Sequence, residues 1–213
     1  MGTKTGNLFI TIEGGDGAGK STLITSLRTH LLEHGHHVTT TCEPGGTSLG
    51  QGLRSLLLEP TCEPMSPMTE LALLLADRAH HLEHVIVPAL QRGEFVISDR
   101  YIDSSYVYQG AGRGLLKSTI RRMHEMMMVV REPDLTLLVD VPAEIAMARV
   151  EASGGRDRIE AEGPDFYQRI RAAYLDRAEE RTQRFRVIEG TLPPQAIAAE
   201  AIAVVDEGLR GAT

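Results

Sequence analysis

The chain has 213 residues, 42% of them hydrophobic and 24% charged, with a formal net charge of −7. That size and balance suit one globular domain with a sizeable core, and the acidic excess argues against a protein that coats nucleic acid through a basic face. Cys42 and Cys62 are too few for a disulfide framework and no apolar run is long enough to span a bilayer, so a cytoplasmic protein with reduced thiols is expected.

The N-terminus lacks a signal-peptide core, and Gly6 stands where a myristoylation motif needs Ser or Thr. The apolar run Leu8 to Ile12 reads as a strand leading into Gly14-Gly15-Asp16-Gly17-Ala18-Gly19-Lys20-Ser21. A helix should follow, with Ile24, Leu27 and Leu31 on one face and Gly35 as its stop. His36 to Thr41 is Thr-rich and reads as the second strand, ending at the turn Glu43-Pro44-Gly45-Gly46-Thr47. A helix carrying Leu53, Leu56 and Leu57 comes next, and Ser66-Pro67 looks like the cap and first turn of another. Leu71, Leu75, Leu82 and Ile86 continue that helical face, which Pro88 must kink or split. Phe95-Val96-Ile97 is a short buried strand ending at Asp99-Arg100-Tyr101, followed by a helix with Met123, Met126 and Met127. Leu135 to Val141 reads as a strand, Ile145 to Val150 as a helix, and Gly154-Gly155-Arg156-Asp157-Arg158 as a flexible basic loop. Gly163-Pro164 opens a helix, Arg186 to Ile188 is the last strand, and Pro194 to Leu209 the last helix. Strands alternating with helices predict an α/β three-layer sandwich, a parallel sheet of about five strands covered on both faces. Residues 1–213 are expected to form one domain, with a short lid insertion at about 152–163.

The glycine-rich stretch is the phosphate-binding G-x-x-x-x-G-K-[ST] pattern in its strand–loop–helix setting. Glycines let the backbone curl so that several N–H groups face phosphate oxygens, and the following helix adds its positive end. Lys20, expected as a charge exposed in the loop, would reach the β- and γ-phosphates, and the Ser21 hydroxyl would ligate Mg2+. Asp99, at the end of an apolar strand, is the expected partner for that Mg2+ or its waters. Arg100 beside it offers a fork of donors for a second phosphate. His80, His81 and His84 have helical spacing but no evident third ligand, so an exposed or interfacial face is expected there. Gly110 to Gly114 is glycine-rich without a preceding strand, and reads as a turn.

Several motifs occur together: Ile12-Glu13-Gly14 with the phosphate loop, the Glu43-to-Thr47 turn, Asp77-Arg78-Ala79, Asp99-Arg100-Tyr101, Tyr108-Gln109-Gly110 and Asp157-Arg158-Ile159-Glu160. In this order the chain resembles the bacterial thymidylate kinases, phosphate-loop enzymes that pass the γ-phosphoryl of ATP to dTMP. The resemblance implies an ATP site at Gly14, Gly15, Asp16, Gly17, Ala18, Gly19, Lys20, Ser21 and Thr22, with Arg149. It implies a dTMP site in which Asp16 contacts the 3′-hydroxyl, Arg100 grips the phosphate and Arg78 reaches the thymine carbonyl. Ser105 and Gln109 would line the base, Tyr108 would pack under the sugar, and Pro44 and Arg54 would border the pocket. Where the family usually stacks an aromatic on thymine, this chain has Leu74 and Leu75. With Gly17 where some members carry an arginine, the charge on the transferring phosphoryl should come from the lid, through Arg156 and Arg158, with Arg149 a third candidate. The resemblance also implies a homodimer. The rival readings are another small-molecule phosphotransferase, and a nucleotide-binding switch, which should carry a guanine-reading Asn-Lys-x-Asp segment that is absent.

Overall fold

The computed structural model describes residues 7–59, 64–127, 131–154, 158–159 and 162–212. Five strands, β1 (Phe9–Glu13), β2 (Val38–Cys42), β3 (Phe95–Asp99), β4 (Leu135–Asp140) and β5 (Phe185–Glu189), form one parallel sheet in the order β2-β3-β1-β4-β5. The chain leaves central β1 in one direction for β2 and β3 and in the other for β4 and β5. The crevice outside the strands' carboxyl ends is therefore where a ligand site is expected. Side-chain alternation sets the two faces. Ile10, Ile12, Phe95 and Ile97 pack with Leu23, Leu27 and Leu31 of α1 (Lys20–Glu33) and with Val205 of α9 (Pro194–Ala212). Phe9 and Val96 point the other way, onto Leu71 and Leu75 of α3 (Pro67–His81), Ala89 of α4 (Val87–Gln91) and Ile120 of α6 (Lys117–Met126).

Between these lie α2 (Ser48–Leu58) and the short α5 (Ile102–Ser105). Then α7 (Ala143–Ala152) and α8 (Pro164–Glu180) flank the stretch predicted as a lid, of which Arg156 lies outside the described residues. Cys62 lies outside them too.

Local differences from the sequence reading have physical causes. The second strand starts at Val38 and runs through Cys42, because its ladder with β3 pairs Val38 with Phe95 and Cys42 with Asp99. Pro88 neither kinks nor splits the helical path alone: a π-helical turn at Leu82–Ile86 precedes it, and Pro88 sits in the first turn of α4, where its missing N–H is least needed. The supposed turn at Gly110 is instead the end of a second π-helical stretch, Tyr106–Gly112, and the chain turns at Gly114. Leu57 is buried, but Leu56 of the same helix is 58% exposed.

Candidate active site

The phosphate loop leaves β1 at Glu13 and enters α1 at Lys20. Gly17 has φ +80°, and a Cβ there would lie 2.2 Å from the carbonyl oxygen of Ala146. Close packing of α7 against the loop therefore leaves no room for any side chain at 17, arginine included. Lys20 is not exposed, as its position in a loop suggested. It retains 8% exposure, and its ammonium donates to the carbonyls of Gly14 at 3.2 Å and Gly15 at 3.0 Å. Burial and the neighbouring Arg100 lower its affinity for its proton.

Arg100 is the one non-glycine residue with positive φ among the described residues, at +68°. Such backbone costs energy and is held here by Arg100 N–H donating to Ile12 O and Ser98 Oγ donating to Arg100 O. Its guanidinium donates to Asp16 Oδ1 at 2.6 Å, Gly14 O at 3.0 Å, Tyr174 OH at 3.0 Å and Ser104 Oγ at 3.3 Å, and lies 4.8 Å from the Tyr108 ring centre. Tyr108 OH donates to the other Asp16 oxygen at 3.2 Å. Burial pushes the Asp16 carboxyl up, but Arg100 and Lys20 outweigh it and hold it below the usual range. Beneath this group, Glu13 accepts from Tyr101 N–H, Ser104 Oγ and Tyr174 OH. Burial and the nearby Asp103 push Glu13 up to about 7.

A cleft beside the loop is lined by Gly17, Gly19, Lys20, Ser21, Thr22, Asp99, Arg100 and Arg149 among others. Arg149 donates to Gly17 O and to Gly190 O. Asp99 Oδ1 is buried there with no hydrogen-bond partner. A carboxylate with an unpaired oxygen in a cleft that Ser21 and the phosphate-binding loop also line suits a hard cation that takes oxygen ligands.

A second cavity adjoins it. All nine residues expected at the acceptor, Asp16, Pro44, Arg54, Leu74, Arg78, Arg100, Ser105, Tyr108 and Gln109, line this one space. Asp16, Glu43, Arg54 and Arg100 line both spaces, so the two meet at the Asp16–Arg100 pair. Leu58 and Ile159 join Leu74 on its wall, supplying apolar surface where the sequence shows no aromatic. Leu75 belongs to the core instead.

Around Arg78 the cavity rests on a buried polar network. Arg78 is 1% exposed; its Nε donates to Glu43 Oε2 at 2.6 Å, Nη1 to Ser105 Oγ at 2.9 Å and His124 Nε2 at 2.8 Å, and Nη2 to Tyr101 O at 2.9 Å. His124 donates from Nδ1 to Ile120 O, which fixes a neutral ring, and burial together with Arg78 lowers it to about 4. His81 is fully buried, not on an exposed face: Nδ1 donates to Glu43 Oε1 at 2.9 Å and Nε2 meets Thr41 Oγ1 at 2.6 Å. A Cβ on Gly46 would lie 2.4 Å from that ring, so the Glu43 turn is moulded onto α3. Sequence reasoning quoted Glu13 and Glu43 within motifs but gave them no role, read His81 as part of an exposed or interfacial face, and missed Tyr174 and Glu70.

The structure does not bring Arg158 to the phosphate cleft. Its N–H donates to Leu58 O, its Nε to Leu57 O at 3.0 Å, and its Nη2 to Glu70 Oε2 at 2.6 Å, on the Leu58 side of the second cavity. The main chain around Leu57, freed at the end of α2, captures the arginine there.

Comparison with known proteins gives one consistent result. Residues 12–201 match the sequence profile of a family described as thymidylate kinase. A protein named thymidylate kinase from Alcanivorax borkumensis is 44% identical over 199 residues, covering 93% of this chain and 96% of its own. Proteins of the same name from Ectopseudomonas mendocina (48% over 182 residues, 85% and 87% coverage) and Nitrosomonas europaea (46% over 183 residues, 86% and 85%) are similar at the same level.

Proposed function

The chain belongs to the thymidylate kinase family, and from that premise we propose that it transfers the γ-phosphoryl of ATP to dTMP, giving dTDP for nucleotide biosynthesis. The observation that carries this reading is the meeting of two cavities at Asp16 and Arg100. One has the chemistry of a triphosphate site, and the other holds every residue expected around a thymidine monophosphate.

The acceptor is a phosphate monoester with a second pKa of about 6, so its oxygens are largely ionised at neutral pH and need no general base. The work left is alignment and charge. The loop N–H groups and Lys20 hold the donor phosphates. Arg100, already bonded to Gly14 O and Asp16, exchanges one of those partners for the acceptor phosphate. Asp16 remains to accept the sugar hydroxyl, and Tyr108, tied to Asp16, forms the floor under the sugar. Ser21 and Asp99 would hold Mg2+, whose charge offsets that of the phosphates when bound. Arg149 lines the cleft as the cation at the donor end, and Arg158 must release Glu70 to act there. At the base, Gln109 Oε1 is buried without a partner and suits the N3–H of thymine.

The resemblance also leads us to a homodimer, supported by exposed apolar side chains on three neighbouring helices: Leu56 of α2, Met68 of α3 and Met126 of α6. Sedimentation equilibrium reads this directly, and a monomer at all concentrations overturns it. No described helix is long and apolar enough to cross a membrane, and we place the protein in the cytoplasm. A coupled assay with ATP, Mg2+ and a panel of nucleoside monophosphates tests the main reading. dTMP is expected to give the highest kcat/KM; a preference for a purine monophosphate, or no transfer at all, overturns it.

A further inference from the structure

One buried carboxylate at the base end takes no part in phosphoryl transfer. Glu70 lies in the first turn of α3 with 2% exposure. Its Oε1 accepts from Gln109 Nε2 at 2.6 Å and its Oε2 from Arg158 Nη2 at 2.6 Å, with Arg113 Nε 3.8 Å away. A carboxylate only accepts, so the Gln109 amide must turn its nitrogen toward Glu70. The amide is planar, and its carbonyl oxygen is thereby directed away from Glu70. That oxygen is the polar atom of Gln109 left buried and without a partner, and Gln109 lines the acceptor cavity.

We propose that Glu70 is a positioning residue for base specificity: by fixing the orientation of the Gln109 amide it makes the base pocket an acceptor, which selects pyrimidines with a ring N–H. The inference rests on the dTMP reading above. A thymine joined to its sugar through N1 has a single ring donor, N3–H, whereas cytosine has a bare nitrogen at that place. Without a pure acceptor at 70, the Gln109 amide is free to rotate by half a turn and present N–H instead. The selection would then be lost with no change in the pocket's shape. The Arg158 guanidinium takes up the other oxygen, Oε2, at 2.6 Å, which leaves Oε1 to the Gln109 amide. The plain alternative is that Glu70 only anchors Arg158 and Arg113.

The test compares kcat/KM for dTMP and 5-methyl-dCMP, which keeps the ring outline and the methyl group but has a bare N3 and an amino group at C4; the readout is how each variant moves that ratio. The wild type is expected to favour dTMP by about tenfold or more, the worth of one hydrogen bond to a buried acceptor. Glu70→Gln keeps the shape but can donate or accept, and should lower that ratio several-fold. Gln109→Leu should remove the part of the preference that depends on N3, and adding Glu70→Gln to it should change the ratio no further. The exchange of Glu70→Gln with Gln109→Glu keeps an acceptor toward the cavity and should restore the ratio; it also decides the matter if Glu70→Gln alone folds poorly. A Glu70→Gln enzyme slowed equally on both substrates, or an exchange variant that does not recover, overturns the proposal. A wild type inert toward dTMP overturns the functional reading and this proposal together, while one active on dTMP with an unmoved variant ratio overturns this proposal alone.

Discussion

The acceptor cavity has two ends, each built around an arginine, and the two arginines are held differently. Arg100, at the phosphate end, sits on strained backbone and spends its donors on a loop carbonyl, two hydroxyls and Asp16, groups a phosphate can displace or join. Arg78, at the other end, lines the cavity but is 1% exposed and gives its donors to Glu43, Ser105, His124 and the Tyr101 carbonyl. The first end stores donors for a ligand, and the second stores them for the fold. The difference teaches that removing an arginine from this site should damage catalysis at one end and stability at the other.

Arg78→Met gives the largest effect. It leaves Glu43 buried with only His81 as a partner, and breaking a buried ion pair from one side costs about 3–5 kcal/mol. Urea unfolding should show that loss; a variant within about 1 kcal/mol of wild type would erase the contrast between the ends. Lys20→Ala is the counterpart at the phosphate end. The ammonium is buried, and burial lowers its proton affinity, so the folded enzyme gains little from it. The variant should keep its unfolding midpoint while kcat falls by about 10² or more. Near-normal turnover in a folded Lys20→Ala enzyme would remove Lys20 from the mechanism.

The same division explains what could be read from the amino-acid order. Lys20, Ser21, Asp99 and Arg100 were legible because their chemistry is set by short spacing next to strand ends, and the sheet brings those ends together. Leu71, Leu75 and Ile86 were legible from helical periodicity. Arg78, Ser105 and Gln109 came from the family resemblance, but the polar network behind them was not legible, because its bonds join residues far apart in sequence: 35 residues separate Glu43 from Arg78 and 39 separate Glu70 from Gln109, just as 161 separate Glu13 from Tyr174 under Arg100. His81 shows the consequence. Beside His80 and His84 it reads as part of an exposed or interfacial face, and only the fold of the Glu43 turn shows that it is buried within the chain. Arg158 is a second case, since its capture by Leu57 and Glu70 depends on where α2 ends relative to the lid. The π-helical stretch at Tyr106–Gly112 leaves no mark in a glycine-rich sequence that also suits a turn.

Tyr108 stands at the Arg100 end, since its ring lies under Arg100 and its hydroxyl holds Asp16. The ring should leave no room to pair a 2′-hydroxyl, a cost of roughly 1–3 kcal/mol. Tyr108→Ala should therefore narrow the preference for dTMP over its ribose counterpart by about tenfold. An unchanged ratio of kcat/KM values would place the discrimination elsewhere.

Glu13 carries the comparison into pH. Burial and Asp103 raise its carboxyl, so the folded state keeps a proton that the unfolded chain releases at an ordinary carboxylate pKa. The stability tied to that proton is fully present below about pH 4.5 and is lost as the pH rises through about 7. Glu13→Gln mimics the protonated form, and the Ser104 and Tyr174 hydroxyls can rotate to accept from its amide. The difference in Tm between variant and wild type should shift by a few degrees in the variant's favour between pH 5 and pH 8. A difference that stays flat across that range would mean Glu13 is ionised throughout.

The smallest expected effect separates the lid from the phosphate end. The sequence pointed to Arg158 as a source of charge for the transferring phosphoryl, and the same arginine is bonded to Glu70 and to the Leu57 carbonyl. Arg149 already lines the phosphate cleft, bonded to the Gly17 carbonyl of the loop itself. If Arg158 serves the base end, Arg158→Ala should raise the KM for dTMP a few-fold and leave kcat nearly unchanged, because the interaction is present before the transition state. Arg149→Ala should do the reverse, lowering kcat with little effect on dTMP binding. A strong fall in kcat for Arg158→Ala with unchanged KM would show that the arginine leaves Glu70 during turnover. The buried carboxylate would then hold it only between catalytic cycles, and the two ends of the cavity would share one cation.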